Sequence, residues 1–149
     1  MRTVANILQN KPPVFNFIEP DAKVIEALQL MNSVNLSYLV VKHNEAFQGI
    51  FSERDYSRKV VLNGLHSSTC CVRDVMNTSL PMVTMQDTAE MCMQRFSLHK
   101  TRYLLAFDEN EFRGVITIYD ILREAMENKE MVFDKLALQA FTDEQDNIF

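Results

Sequence analysis

Along this chain the apolar positions switch between two rhythms, and the switching happens twice in the same order. Tyr38 to Lys42 and Phe47 to Phe51 are short apolar runs rich in β-branched and aromatic residues, parted by the polar His43-Asn44-Glu45. This is the pattern of a strand, a turn and a returning strand. Upstream, Val24, Leu28 and Met31 recur at helical spacing behind Pro20-Asp21, and Val14 to Ile18 reads as a further strand. Downstream, Tyr56, Val60 and Val61 mark the inward positions of a closing helix. The second round opens with a strand at Pro81 to Thr84 and a helix carrying Cys92, Met93 and Phe96. Strands at Tyr103 to Phe107 and Phe112 to Ile116 follow, with Asp108-Glu109-Asn110 as their turn and Ile121, Leu122 and Ala125 facing inward on the last helix. The expected unit is β-α-β-β-α, written twice, an α/β architecture of the α+β kind.

The two rounds keep one register. Gly49-Ile50-Phe51-Ser52-Glu53-Arg54-Asp55 and Gly114-Val115-Ile116-Thr117-Ile118-Tyr119-Asp120 lie 65 residues apart (114 − 49). At the same offset Tyr38-Leu39 falls on Tyr103-Leu104, Phe47 on Phe112, Met31 on Phe96, Leu28 on Met93 and Ile18 on Val83, which marks an internal duplication. Val4-Ala5-Asn6-Ile7-Leu8 matches Val72-Arg73-Asp74-Val75-Met76 at an offset of 68 (72 − 4), so a short helical turn leads into each copy. The extra length of the first copy falls near Lys11-Pro12-Pro13, where a loop is expected. Residues 1–64 are expected to form the first repeat with its N-terminal helical turn, 65–127 the second, and 128–149 a C-terminal helix and acidic tail. In that last segment Val132, Leu136 and Ala140 line one stripe, with Phe133, Ala137 and Phe141 beside it. A unit of this size has a small core and open sheet edges, so the copies are expected to pack as one pseudo-twofold module.

Composition narrows the classes. With 149 residues, 47% hydrophobic and 23% charged, the chain can bury a core, and its apolar runs are too short to span a bilayer. Met1 to Asn6, followed by Gln9-Asn10-Lys11, lacks the pattern of a signal peptide, and the cytoplasm is the expected compartment. Fifteen basic against twenty acidic residues give −5, which argues against nucleic-acid binding, because phosphate neutralisation needs a basic surface. Cys70, Cys71 and Cys92 lack metal-ligand spacing and read as free thiols, and His43, His66 and His99 share no period. Met31, Met93 and Met126 read as gap-filling residues. No Ser/His/Asp constellation is visible, and three glycines without the required spacing exclude a phosphate loop, so no catalytic activity is expected.

The repeated junction carries the chemistry. A strand that ends in a short hydroxyl residue and starts a helix leaves free backbone N–H groups beside paired Ser/Thr and Asp oxygens, a place for a polar ligand. Ser52-x-x-Asp55 and Thr117-x-x-Asp120 also satisfy the pattern of a helix capping box, which would account for them without any ligand. Repetition beside Arg54 favours a ligand role for at least one copy. Glu53 in the first helical turn would repel a phosphate set directly on the helix dipole, so a phosphate is expected to one side, toward the arginines.

Taken together, the tandem β-α-β-β-α unit and its G-h-h-[ST]-x-x-D junction resemble the cystathionine-β-synthase (CBS) domain pair, or Bateman module, over roughly residues 1–127. The run Ser52-Glu53-Arg54-Asp55-Tyr56-Ser57-Arg58-Lys59-Val60-Val61 and the segment His99-Lys100-Thr101-Arg102-Tyr103-Leu104 are similar to small stand-alone bacterial members. The resemblance implies clefts between the repeats for adenosine-containing ligands such as AMP, ADP, ATP, NAD or S-adenosylmethionine. Asp55 and Asp120 would then accept from ribose hydroxyls, and Ser52 and Thr117 would bond a ribose or phosphate oxygen. Arg54, Arg58, Lys100 and Arg102 are the phosphate candidates, with Tyr103 beside them, and apolar side chains around Val14 and Leu80 would sandwich the adenine. Two departures stand out: Leu104-Leu105-Ala106 replaces a Leu-Pro-Val segment, and Tyr119 stands where a small residue is usual, placed to narrow a cleft or stack on a base. Phe15 and Phe17 would crowd the first cleft.

Two functions follow. One is a regulatory homodimer that senses an adenine nucleotide and passes occupancy to a regulated protein, with no required cofactor, metal, nucleic acid or membrane. The other is an oligomerisation or scaffold module whose clefts stay empty.

Overall fold

The structure is a computed structural model in which residues 2–127 are described. The apolar stripes of 129–141 lie outside the described residues. In chain order the elements are α1 (Val4–Asn10), β1 (Phe17–Ile18), α2 (Val24–Val34), β2 (Tyr38–His43), β3 (Ala46–Ser52), α3 (Glu53–Asp55), α4 (Val72–Val75), β4 (Met82–Thr84), α5 (Ala89–His99), β5 (Tyr103–Asp108), β6 (Glu111–Thr117) and α6 (Ile118–Glu127). A π-helical segment, Tyr56–Val61, continues α3. These form two three-stranded sheets, β1-β2-β3 and β4-β5-β6, the mixed α+β repeat that the pattern predicts. Among the described residues no helix is long and apolar enough to cross a membrane.

The sheets are built alike in detail. In each the first strand runs parallel to the second and the third returns antiparallel, with Tyr38 opposite Ser52 in one and Tyr103 opposite Thr117 in the other. Each hairpin slips register at the same repeat position, between Val41 and Lys42 and between Ala106 and Phe107. Even the helix ends agree: Asn35 and Lys100, again 65 apart, close α2 and α5 in the left-handed conformation with φ of 54° and 50°. Asparagine tolerates that region well, whereas lysine adopts it at a cost.

By contact, the chain divides differently from its repeats. One unit is Pro13–Ser79; the other combines residues 2–12 with 80–127. The leading helices have thus changed places relative to the expected boundaries: α1 packs with the second sheet and α4 with the first. The cores show it. Val72 and Val75 of α4 are buried with Val24, Ala27, Met31, Leu39, Val41, Phe51 and Val60. Val4 and Ile7 of α1 are buried with Val83, Cys92, Phe96, Leu104, Ile116 and Ile121. A short helix cannot bury a whole apolar stripe alone, and each needs a sheet face within reach of its own connection. α1 is further tied by Val4 N–H donating to the Asp87 carbonyl and Ala5 N–H to that of Met85. α4 is tied by Val72 N–H donating to the Ala22 carbonyl and Arg73 N–H to that of Pro20.

Five local expectations differ from the structure, two of them on α6, where Leu122 is 37% and Met126 84% exposed instead of packed inward. Val14 lies ahead of β1, because Pro12-Pro13 bring no donors and the ladder starts only where Asn16 C=O accepts Val40 N–H. Pro20-Asp21 form a turn ahead of α2, with the Pro20 carbonyl accepting from Arg73 N–H of α4. Val61 is 53% exposed, since Leu62 N–H reaches back five residues to Ser57 C=O and the widened turn carries Val61 off the inward face.

Candidate functional site

Both junctions are complete capping boxes. At the first, the Ser52 N–H and hydroxyl both donate to Asp55 Oδ2 at 2.9 Å, and Asp55 N–H donates to Ser52 Oγ at 3.2 Å. At the second, Thr117 N–H donates to Asp120 Oδ2 at 2.8 Å and Asp120 N–H to Thr117 Oγ1 at 3.3 Å. Such a box satisfies two helix-end donors reciprocally, so the simple structural role of these residues is fulfilled. Both aspartates are nonetheless buried charges, 7% and 3% exposed, and a buried carboxylate needs a cation.

That cation comes from different places. Lys59, one turn along the same helix, approaches Asp55 Oδ1 at 3.1 Å and donates to the Met76 carbonyl at 3.3 Å. The equivalent position of the second copy, 65 residues on, is Glu124, itself buried. Asp120 is met instead by Lys11, which donates to Asp120 Oδ2 at 2.9 Å and to the Val115 carbonyl at 2.8 Å. Arg2 meets Glu124 at 3.0 Å without an aligned hydrogen bond, and Arg123 stands 3.7 Å from Asp120 Oδ1. Sequence reasoning did not single out Lys11, Arg2 or Glu124. The only signal for them was the Lys-to-Glu exchange at one repeat position, which leaves two carboxylates at i and i+4 on one helix.

The glycines of the motif answer to packing. A Cβ on Gly49 would lie 2.8 Å from the backbone oxygen of Asn77, whose peptide exchanges hydrogen bonds with Ile50 at 3.0 and 2.7 Å. A Cβ on Gly114 would meet Leu8 of α1 at 3.0 Å. Each glycine therefore admits the segment of the exchanged leading helix.

The remaining expected residues collect at one end of each sheet. The parallel register continues Val14 toward the start of β2 and the end of β3, the edge that carries Ser52 and Asp55. In the other unit the same reasoning aligns Leu80 with Tyr103, which pairs with Thr117 ahead of Asp120. Arg54 is half-buried on α3, Arg102 is half-buried next to the buried Tyr103, and Arg58 and Lys100 are exposed. Tyr119 is 68% and Phe15 85% exposed. Phe17, 47% exposed, lies under the Lys42 ammonium at 4.1 Å from the ring centre. Among the described residues no cluster of His, Cys, Asp and Glu has the makings of a metal site. Cys70, Cys71 and Cys92 are free, and burial, aided by Asp87, pushes the Cys92 thiol up to about 12.

The fold is a tandem repeat of a three-stranded sheet with a capped strand-to-helix junction, and the CBS domain model matches residues 4–61 and 72–127. The chain belongs to the CBS domain family, as a pair of repeats. It is similar to the mitochondrial CBS domain-containing protein CBSX3 of Arabidopsis thaliana, 28% identical over 69% of this chain and 52% of that protein. The chain thus spans about half the length of that relative. Among solved structures it is similar to a CBS-domain protein from Burkholderia ambifaria MC40-6, 28% identical with a TM-score of 0.77, covering 89% of this chain and 99% of the other. It is also similar to CBSX2, solved in complex with AMP, 25% identical with a TM-score of 0.70, covering 87% and 99%.

Proposed function

We propose that this chain is a regulatory module that binds an adenosine-containing nucleotide of the AMP, ADP, ATP or NAD class at its strand-to-helix junctions. It works as a homodimer that passes occupancy to a partner protein. The observation that carries this reading is the duplicated hydroxyl-aspartate junction at the sheet end reached by Val14 in one unit and Leu80 in the other. An ionised carboxylate is an acceptor only, suited to the two donors of a ribose diol. Asp120 keeps Oδ1 for this purpose, with Arg123 at 3.7 Å as its neighbour, while Oδ2 takes Thr117 and Lys11. Arg54, Arg58, Lys100 and Arg102 supply phosphate donors, and AMP in the related CBSX2 supports the ligand class.

A structural reading has its own support in the first junction. Asp55 already spends Oδ2 on Ser52 and Oδ1 on Lys59, so a ribose there must share with or displace a lysine. Thermal unfolding with AMP, ATP, NAD and S-adenosylmethionine separates the two readings. A ligand at one hundred times its dissociation constant adds about 2.7 kcal/mol, a rise of several degrees. A melting curve unmoved by all four ligands overturns the sensor and leaves the scaffold.

A further inference from the structure

We infer that Lys11 is a positioning residue for nucleotide binding at the second junction, holding the Asp120 carboxylate in its orientation; this rests on the reading of Asp120 as ribose acceptor. Three observations converge. Position 59 of the first copy is a lysine and its equivalent, 124, is a glutamate, so α6 brings two carboxylates one turn apart and no lysine of its own at that position. Their side chains are 3% and 6% exposed, and like charges that buried require cations. Both arrive from residues 2–12: Arg2 on Glu124, and Lys11 on Asp120, 109 residues away in sequence.

The Lys11 geometry is that of an orienting group. Its ammonium bridges Asp120 Oδ2 and the Val115 carbonyl, so the carboxylate is fixed against the strand that precedes it. With Oδ2 held by Lys11 and Thr117 N–H, Oδ1 is the oxygen turned to a ligand. Removing the ammonium leaves Oδ2 to Thr117 N–H, which does not tie it to Val115, and leaves Asp120 and Glu124, among the described residues, with Arg123 and Arg2 as cations. The second site is therefore assembled from residues at both ends of the described chain, whereas the first draws its cation from its own helix.

The test is calorimetric titration of AMP into wild type, Lys11→Met, Lys11→Arg, Asp120→Asn and the charge-balanced double variant Lys11→Met/Glu124→Gln. Groups that orient metal ligands from behind are worth about tenfold or more in affinity, and the same scale is expected of one that orients a ribose-binding carboxylate. Lys11→Met is expected to weaken AMP by about that factor, and Lys11→Arg to recover most of it. The double variant restores charge balance and is expected to recover the melting temperature while AMP binding stays weak. If Lys11→Met binds AMP as wild type does while Asp120→Asn loses it, the inference is overturned and the ribose assignment stands. Recovery of both melting temperature and affinity in the double variant reduces Lys11 to charge balance and overturns it too. No binding of AMP, ADP, ATP or NAD by wild type overturns both readings.

Discussion

The Ser52–Asp55 and Thr117–Asp120 junctions share a strand register, a capping box and a glycine that admits a crossing segment, but they differ in where their neutralising charge originates. Lys59 serves the first from one turn away and is 40% exposed on its side chain. Lys11 serves the second across 109 residues and is 20% exposed. Backbone duplication thus leaves the electrostatics free to be rewired. A local lysine makes the first junction self-sufficient, and a distant one makes the second depend on residues 2–12.

The largest effect expected from this difference is on stability. Lys11→Met takes from buried Asp120 its hydrogen-bonded cation, with Arg123 at 3.7 Å remaining, and should cost about 3 kcal/mol, the lower end for breaking a buried pair. Lys59→Met, at a more exposed pair, should cost at most about 1 kcal/mol. Urea unfolding of the two variants measures the gap, and equal losses would erase the distinction between the junctions.

Next in size is the close approach at the first glycine. Gly49→Ala sets a methyl 2.8 Å from a backbone oxygen that has no side-chain freedom to retreat, with a cost of roughly 1–3 kcal/mol in the same assay. An unchanged midpoint would show that the Ile50–Asn77 bridge yields without cost.

The finest probe is thiol chemistry, which reads the two units separately. Cys92 is buried in the unit that holds Asp120, while Cys70 and Cys71 are half-buried in the other. Near pH 8 Cys92 should alkylate only through opening of its core, and Lys11→Met should speed that reaction without altering the rate at Cys70. The same thiol gives an alkaline signature. Its folded value of about 12 lies above the ordinary thiol value of 9.0, so its contribution is intact below pH 9 and is lost as pH rises toward 12. Cys92→Ala should flatten that decline in unfolding free energy, and an identical decline would assign it to other groups.

Much of this was legible in the residues. The offset of 65 located both sheets, both hairpins and both junctions, because period-two runs and polar turns report local structure. The exchange of α1 and α4 between sheets was not legible. Val4–Ile7 and Val72–Val75 match each other so closely that sequence order alone assigned each to the copy it precedes. Val61 was misplaced because periodicity assumes a regular helix and Tyr56–Val61 winds wider. Lys11 was hidden for a third reason: it stands beside Pro12-Pro13 in an expected loop, and its partner lies near the other end of the described chain.

The most direct measurement is calorimetric titration of AMP into wild type, Asp55→Asn and Asp120→Asn. Saturable binding that falls at least about tenfold in Asp120→Asn, and by less in Asp55→Asn, is the expected result. Wild-type affinity in both variants would contradict the assignment of ribose to these junctions.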